Sequence, residues 1–381
     1  MIRRFAGGID VPAFLRRHWQ KRPLLARAAL PHYRKLLTRQ DLFELAARDT
    51  LQSRLVLRER GRWRVEHGPF SRRRLERLPR RDWTLLVQGV EQVLPGAREL
   101  LLEFDFLPYA RLDDVMVSYA PPGGGVGPHY DSYDVFLLQI EGTRRWRVSS
   151  QHDLDLVDGA PLRLLADFRA EREWRLAPGD MLYLPPRIAH DGVALDHCLT
   201  ASIGFRAPDA RELGARFLEF LQDRLTLQGE YRDPGLRAAR HPARIGADML
   251  SKVRRALARI DWGPRDVTEF LGCHLTEPKP HVVFSPPRRA LAPSTFAARA
   301  AREGLHLDLK TQMLFHGRRF FINGESCLTG RAEAVLLARL ADRRRLRAPL
   351  ALDAAAARRL YQWYRAGYIG LGDSIRAADA A

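Results

Sequence analysis

Residues 123–148 read GGGVGPHYDSYDVFLLQIEGTRRWRV: a glycine run, a His-x-Asp pair, then an unbroken apolar run of the kind that forms a buried strand. Side chains alternate between the two faces of a strand. His129 and Asp131, two residues apart at a strand start, are therefore expected to point to the same side of a sheet. After the turn IEGT the alternation resumes in RRWRV, which sets Arg144, Trp146 and Val148 on one face and Arg145 and Arg147 on the other. The face carrying Trp and Val is the better candidate for the interior.

A third partner for His129 and Asp131 lies in LAPGDMLYLPPRIAHDGVAL, residues 176–195. Gly179 and Asp180 make a turn, MLYLP a strand that two prolines end, and His190 opens the next strand. A lone H-x-D pair occurs by chance in many chains, and a single buried histidine is more often a hydrogen-bonded core residue than a ligand. The conjunction is far more specific: a glycine-rich lead-in, H-x-D, a G-D-x-x-Y-x-P turn and a histidine about 60 residues on. Two imidazoles and one carboxylate on one face of a metal leave the opposite positions open to a cosubstrate and dioxygen, the arrangement suited to non-haem Fe(II). His152 and His197 lack such a frame and are expected to be surface or structural residues. A cosubstrate with a free carboxylate needs a cation on the inner wall, and the planar fork of Arg144 suits it. The other reading of Arg144 is a surface arginine on an edge strand. Ser118, on the strand DDVMVSYA, can offer a hydroxyl to the same carboxylate or be an ordinary strand serine.

Outward from this stretch, short strand-like runs broken by glycine and proline extend from Asp113 to Phe205, as in a closed or sandwiched all-β core. The first hundred residues look mostly helical. Asp10 caps a helix with Pro12 in its first turn, an apolar stripe of Phe14, Leu15 and Trp19, and Pro23 at its end. A second helix through LTRQDLFELAAR and a strand-like RLVLRERGRWRVEHG follow. After Pro208, Leu213, Phe217, Phe220, Leu221 and Leu225 recur at helical intervals, with further helices near ADMLSKVRRALARI and PRDVTEFLGCHL. A proline-rich linker then leads to a hairpin, QMLFHGRRFFINGE, and two helices, a winged-helix-like arrangement.

The composition is that of a soluble globular protein, 46% hydrophobic and 28% charged over 381 residues, enough for roughly two to three domains. No run approaches the roughly 20 apolar residues that cross a bilayer, and no signal-peptide pattern opens the chain, so no membrane contact and a cytoplasmic location are expected. Three scattered cysteines, Cys198, Cys273 and Cys327, are expected to be free thiols. The formal charge of +18 predicts attraction to polyanions such as RNA or ribosomes. Only five of the 63 basic residues are lysine, a skew that GC-rich coding also produces.

The segments VSYAPPGGGVGPHYDSYDVFLLQIEGTRRWRV, LAPGDMLYLPPRIAHDG and SIGFRAPDARELGARF, with WQKRPLLAR near the N-terminus, closely resemble the JmjC-type 2-oxoglutarate oxygenases that hydroxylate ribosomal proteins. The likeness is greatest to the bacterial arginine hydroxylases acting on the large-subunit protein numbered sixteen. It implies an α+β fold: a double-stranded β-helix (cupin/JmjC jelly roll) with N-terminal helical elements over 1–207, a helical dimerisation region over 208–277, a proline-rich linker over 278–296 and a winged-helix-like domain over 297–381. It also implies His129, Asp131 and His190 as catalytic iron ligands, Arg144 and Ser118 as contacts of 2-oxoglutarate, and Fe(II), 2-oxoglutarate and O2 as the cofactor set. The implied reaction converts 2-oxoglutarate to succinate and carbon dioxide while a hydroxyl is placed on the β-carbon of a substrate arginine. The implied partners are a ribosomal protein and a second copy of the chain. A positively charged enzyme would repel an arginine substrate unless acids stand near the pocket mouth, for which Asp113, Asp114 and Asp134 are candidates. Two alternatives remain: the same chemistry on a histidine of another ribosomal protein or on a small molecule, or a non-catalytic regulator that binds nucleic acid or the ribosome.

Overall fold

The computed structural model describes residues 4–5 and 9–372. The principal elements of its first half are α1 (Val11–Arg17), β1 (Leu24–Ala26), α2 (Arg39–Ala46), β2 (Ser53–Glu59), β3 (Arg62–His67), α3 (Arg72–Glu76), β4 (Trp83–Val87), α4 (Pro95–Leu102), β5 (Leu112–Ala120), β6 (Val135–Glu141), β7 (Arg144–Ser149), β8 (Arg172–Leu176), β9 (Met181–Leu184), β10 (Ala189–Ala194) and β11 (Cys198–Phe205). A large sheet runs in the order β1-β9-β6-β11-β5-β4-β2-β3, and a small sheet, β8-β7-β10, faces it. Every pairing in both is antiparallel.

Strand parity builds the two layers of core. On β6, Phe136, Leu138 and Ile140 face outward with Phe14, Phe104 and Tyr183, under the N-terminal helices. Val135 and Leu137 face inward with Trp146, Val148, Leu182 and Leu184. A strand sealed on both faces needs no polar alternation, which is why its sequence is nearly continuous in apolar residues.

The first hundred residues are less helical than their sequence suggests. Asp10 does cap α1, its carboxylate accepting from Ala13 N at 2.7 Å, but α1 closes at Arg17 and a turn carries the chain to Pro23. More importantly, β1 extends one edge of the large sheet, while the expected strand-like segment RLVLRERGRWRVEHG forms β2 and β3, which with β4 extend the other. Leu55, Val56 and Leu57 are all buried, so β2 shows little of the alternation that marks a half-exposed strand.

The second half contains α5 (Ala210–Gln222), α6 (Ala247–Leu257), α7 (Pro264–Thr276), α8 (Pro293–Glu303), β12 (Leu305–Leu307), β13 (Met313–His316), β14 (Arg319–Ile322), β15 (Glu325–Leu328), α9 (Arg331–Arg343), β16 (Arg345–Leu346), α10 (Ala354–Arg365) and β17 (Ile369–Leu371). Phe217 and Phe220 of α5 pack on Phe270 of α7, with ring centroids 5.2 and 5.7 Å apart. Helices α8, α9 and α10 enclose a winged-helix core of Phe296, Leu337, Leu360 and Trp363 beside the sheet β16-β12-β17. The expected hairpin gains a third strand, β15. Helix α8 begins at Pro293, inside the proline-rich stretch, because Phe296 is drawn fully into this core. The two halves are tied directly: Tyr109 donates to the Asp342 carbonyl at 2.9 Å, Arg206 to that of Leu275 at 2.6 Å, and buried Arg98 to that of Leu309. Among the described residues, no helix is long and apolar enough to cross a membrane.

Candidate metal centre and cosubstrate pocket

The glycine run explains how His129 reaches the small sheet. A Cβ on Gly124 would stand 2.1 Å from the Trp83 carbonyl oxygen, and one on Gly125 would stand 2.6 Å from that of Gly192. The chain threads between β4 and β10 too closely for any side chain there. It then pairs with β10 for a single residue: His129 N donates to His190 O at 2.9 Å and His190 N to His129 O at 2.8 Å. His129 and Asp131 thus sit in extended chain ahead of β6, where the sequence suggests the start of the strand itself. Pairing with β9 begins only at Val135.

The three ligand candidates converge. His190 Nε2 lies 3.7 Å from an Asp131 carboxylate oxygen, and one donor atom from each of His129, Asp131 and His190 lies within 4.8 Å of the others. The Nδ1 atoms of His129 and His190 sit 2.9 Å from the carbonyl oxygens of Gly127 and Ile188. A carbonyl can only accept, so each ring carries its proton on Nδ1 and presents a bare Nε2, the tautomer a metal requires. Burial foremost, then neighbouring His129, lowers the pKa of His190 to about 4, so that its ring is neutral at physiological pH. This donor set fits Fe(II).

The triad lines a cavity of about 290 Å³ between the sheets. Alternation on the large sheet supplies one wall, Arg54 and Val56 from β2, Thr84 and Leu86 from β4, Met116 and Ser118 from β5, and Thr200 and Ser202 from β11. The small sheet contributes Arg144, Trp146 and His190. Arg144 is buried, with Nε and Nη2 lacking any hydrogen-bond partner, and its guanidinium stands 5.7 Å from the Trp146 ring. A buried guanidinium with orphaned donors is strongly disfavoured unless an anion meets it, and a small carboxylate in this cavity fits that need. The edge-strand surface reading of Arg144 is therefore wrong. Ser118 faces the same cavity, its hydroxyl 3.4 Å from the Thr200 carbonyl oxygen.

The acids expected at the pocket mouth are elsewhere. Asp134 is completely buried and accepts from Tyr183 (2.6 Å), Gln20 (3.0 Å) and Arg111 (3.3 Å), anchoring the N-terminal segment. Asp113 pairs with Lys279 at 3.4 Å and Arg206 at 3.6 Å. Asp114 is buried, and burial followed by Glu91 and Asp113 pushes its pKa up to about 7. Among the described residues only one carboxylate, the ligand candidate Asp131, lines the cavity. His152 is exposed, and His197 is held by the Tyr119 hydroxyl at 2.7 Å. The sequence reading missed Thr200, Tyr130, Tyr133 and Arg54 on the cavity wall. The polar residues at alternate positions in CLTASIGF were a usable signal for Thr200. Arg54 had none: its segment reads as strand-like, but nothing local shows that this strand joins the sheet lining the cavity.

A JmjC domain profile matches residues 99–213, and a ROXA-like winged helix profile matches residues 254–370. Over 286 residues the chain is 36% identical to the ribosomal protein uL16 3-hydroxylase of Escherichia coli (strain K12), an alignment covering 75% of this chain and 76% of that one. The chain belongs to the JmjC ribosomal oxygenases. Among other members of this family, a probable ribosomal oxygenase of Haemophilus influenzae is 42% identical over 204 residues, 52% of this chain and 50% of that one. The solved structure of YcfD, a ribosomal oxygenase from Escherichia coli, in complex with cobalt and 2-oxoglutarate matches with a TM-score of 0.82 at 31% identity, covering 97% of this chain and 99% of that one.

Proposed function

We propose that this ribosomal oxygenase is an Fe(II)- and 2-oxoglutarate-dependent protein hydroxylase that adds a hydroxyl to the β-carbon of an arginine in a large-subunit ribosomal protein. The observation that carries the proposal is the pairing, in one cavity, of a His129–Asp131–His190 triad with a buried guanidinium whose Nε and Nη2 meet no protein acceptor. Similarity to the uL16 3-hydroxylase supports the arginine over a histidine or a small molecule.

Each residue then has a task. His129, Asp131 and His190 would hold iron and leave adjacent positions open, with the Gly127 and Ile188 carbonyls fixing both rings. Arg144 would clasp the far carboxylate of 2-oxoglutarate, with Ser118 and Thr200 beside it on the wall. Bound iron and 2-oxoglutarate supply the oxidising power, dioxygen being consumed as 2-oxoglutarate becomes succinate and carbon dioxide. Val135, Leu137 and Trp146 keep that chemistry away from bulk water. With Asp131 the one carboxylate lining the cavity among the described residues, the substrate guanidinium would be received by an aromatic face, for which Tyr133 on the cavity wall is the candidate.

The helical region serves as the dimer interface in this proposal. Leu218, Leu250, Leu257 and Trp262, 67%, 58%, 57% and 55% exposed, concentrate apolar surface on α5, α6 and the turn before α7. A ribosomal substrate places the enzyme in the cytoplasm. The test is mass spectrometry of an arginine-containing loop peptide from the large-subunit protein, incubated with purified enzyme, Fe(II), ascorbate and 2-oxoglutarate. Gain of one oxygen atom is expected. No gain across peptides from several ribosomal proteins would overturn the proposal.

A further inference from the structure

Between Arg58 and Arg81 lie ten arginines against three glutamates, a surplus of seven in a chain whose whole formal charge is +18. The fold does not scatter them. Arg74 of α3 and Arg64 of β3 share one carboxylate, Glu66, at 3.1 and 2.6 Å, which ties the helix to the β2–β3 hairpin. The loop after α3 is fixed to the same hairpin, because Arg58 N donates to the Asp82 carbonyl at 2.9 Å. Six of the ten, Arg58, Arg60, Arg62, Arg73, Arg77 and Arg80, are exposed, and none of these has an ion-pair partner among the described residues.

This strip lies beside the active cavity. On β2, Arg54 and Val56 line the cavity and Arg58 is the next residue on the same face, paired across the hairpin with Trp63. The Arg58 guanidinium stands 5.4 Å from the Trp63 ring. Trp63 in turn abuts Gly127, where a Cβ would meet its ring at 2.9 Å, and the Gly127 carbonyl is the one that orients His129. Arg163 and Tyr130, both on the cavity wall, form a second cation–aromatic pair at 5.3 Å. Unpaired guanidinium forks interleaved with partly exposed rings match a phosphate backbone with bases to stack, and they repel a basic protein. Arginine-only composition suits bidentate phosphate contacts.

We propose that the β2–β3 hairpin tip, α3 and the loop to Asp82 form a docking strip for single-stranded RNA alongside the active cavity. The inference rests on the ribosomal-substrate proposal only for which RNA is met in the cell; RNA binding and peptide turnover are read separately. The probe is a fluorescein-labelled oligouridylate, its affinity followed by anisotropy while salt is raised. Six phosphate contacts predict a slope of log K against log salt of about −4, a loss of roughly 300-fold between about 50 and 200 mM. The triple variant R58Q/R62Q/R77Q should flatten that slope by about 2 and weaken binding at least tenfold at low salt, with hydroxylation of a short peptide unchanged. Equal affinity and slope for the wild type and the variant would overturn the docking strip, as would polyglutamate binding as tightly as the RNA at equal charge. Peptide turnover lost in the wild type itself would instead count against the proposed reaction and leave the RNA result to stand on its own.

Discussion

Replacing Arg144 with methionine separates stability from function at the centre of the site. Its buried guanidinium finds no protein partner for Nε and Nη2. Each unmet buried donor costs about 1–3 kcal/mol, and replacing buried charge by a packed apolar side chain commonly stabilises by about 1–4 kcal/mol. R144M should therefore be more stable than the wild type without cosubstrate, its melting temperature raised by about 2–4 °C for each kcal/mol in a domain of this size. With 2-oxoglutarate the order reverses. Removing one partner of a buried ion pair costs about 3–5 kcal/mol, which corresponds to roughly 150- to 5,000-fold weaker binding. The assay is calorimetric titration of 2-oxoglutarate into enzyme loaded with Co(II), which blocks turnover, with thermal unfolding recorded with and without cosubstrate. A variant that binds within tenfold of the wild type, or that is less stable in the absence of 2-oxoglutarate, would refute the assignment of Arg144 to the carboxylate.

Three further outcomes are expected. His190→Ala should lose succinate formation and bind Co(II) at least about a hundredfold more weakly, as followed by the visible absorbance of the bound metal, because a single carboxylate and imidazole cannot replace the triad. Leu218→Asp with Leu250→Asp should shift the sedimentation of the protein from dimer to monomer while the fold, read by circular dichroism, stays intact; wild-type monomer at micromolar concentration would contradict the dimer. Asp114, raised from 3.8 to about 7 by burial, holds its proton more tightly in the folded than in the unfolded chain. Its contribution is therefore fully present below about pH 4 and is lost as pH rises toward 7, so the urea stability of Asp114→Asn relative to wild type should rise between about pH 4 and 7 and level off above that.

The triad, Arg144 and the jelly-roll core were legible because each is written in local chemistry. Glycines force close backbone approach, period-two alternation sets faces, and three side chains able to bind a metal stand in recognisable frames. What was not legible depended on tertiary pairing. Arg54 gains its place on the wall only because β2 joins the far edge of the large sheet through β4, a pairing that no pattern in the first hundred residues announces. Asp134 stands three residues after Asp131, an odd interval that by alternation already turns it from the cavity, but the partners that hold it there, Tyr183, Gln20 and Arg111, are distant in sequence and carry no local signal.

One register ties the candidate ligand His190 to Arg144. On β7 and β10, Val148 lies opposite His190 and Arg144 opposite Ala194. The ligand and the guanidinium are thus separated by four residues of strand, about 13 Å along the backbone, a span that the long arginine side chain shortens to the reach of a small dicarboxylate. A slip of one residue in that pairing would turn Arg144 and Trp146 outward and bring Arg145 and Arg147 in, exchanging a cation beside an apolar ring for two crowded charges. Gly192 guards the register, since a Cβ there would meet the Trp146 ring at 2.5 Å and push the strands apart. The His190-Asp191-Gly192 triplet therefore specifies two things at once: a candidate ligand in His190 and, two residues later, the close packing that keeps Arg144 facing the cavity.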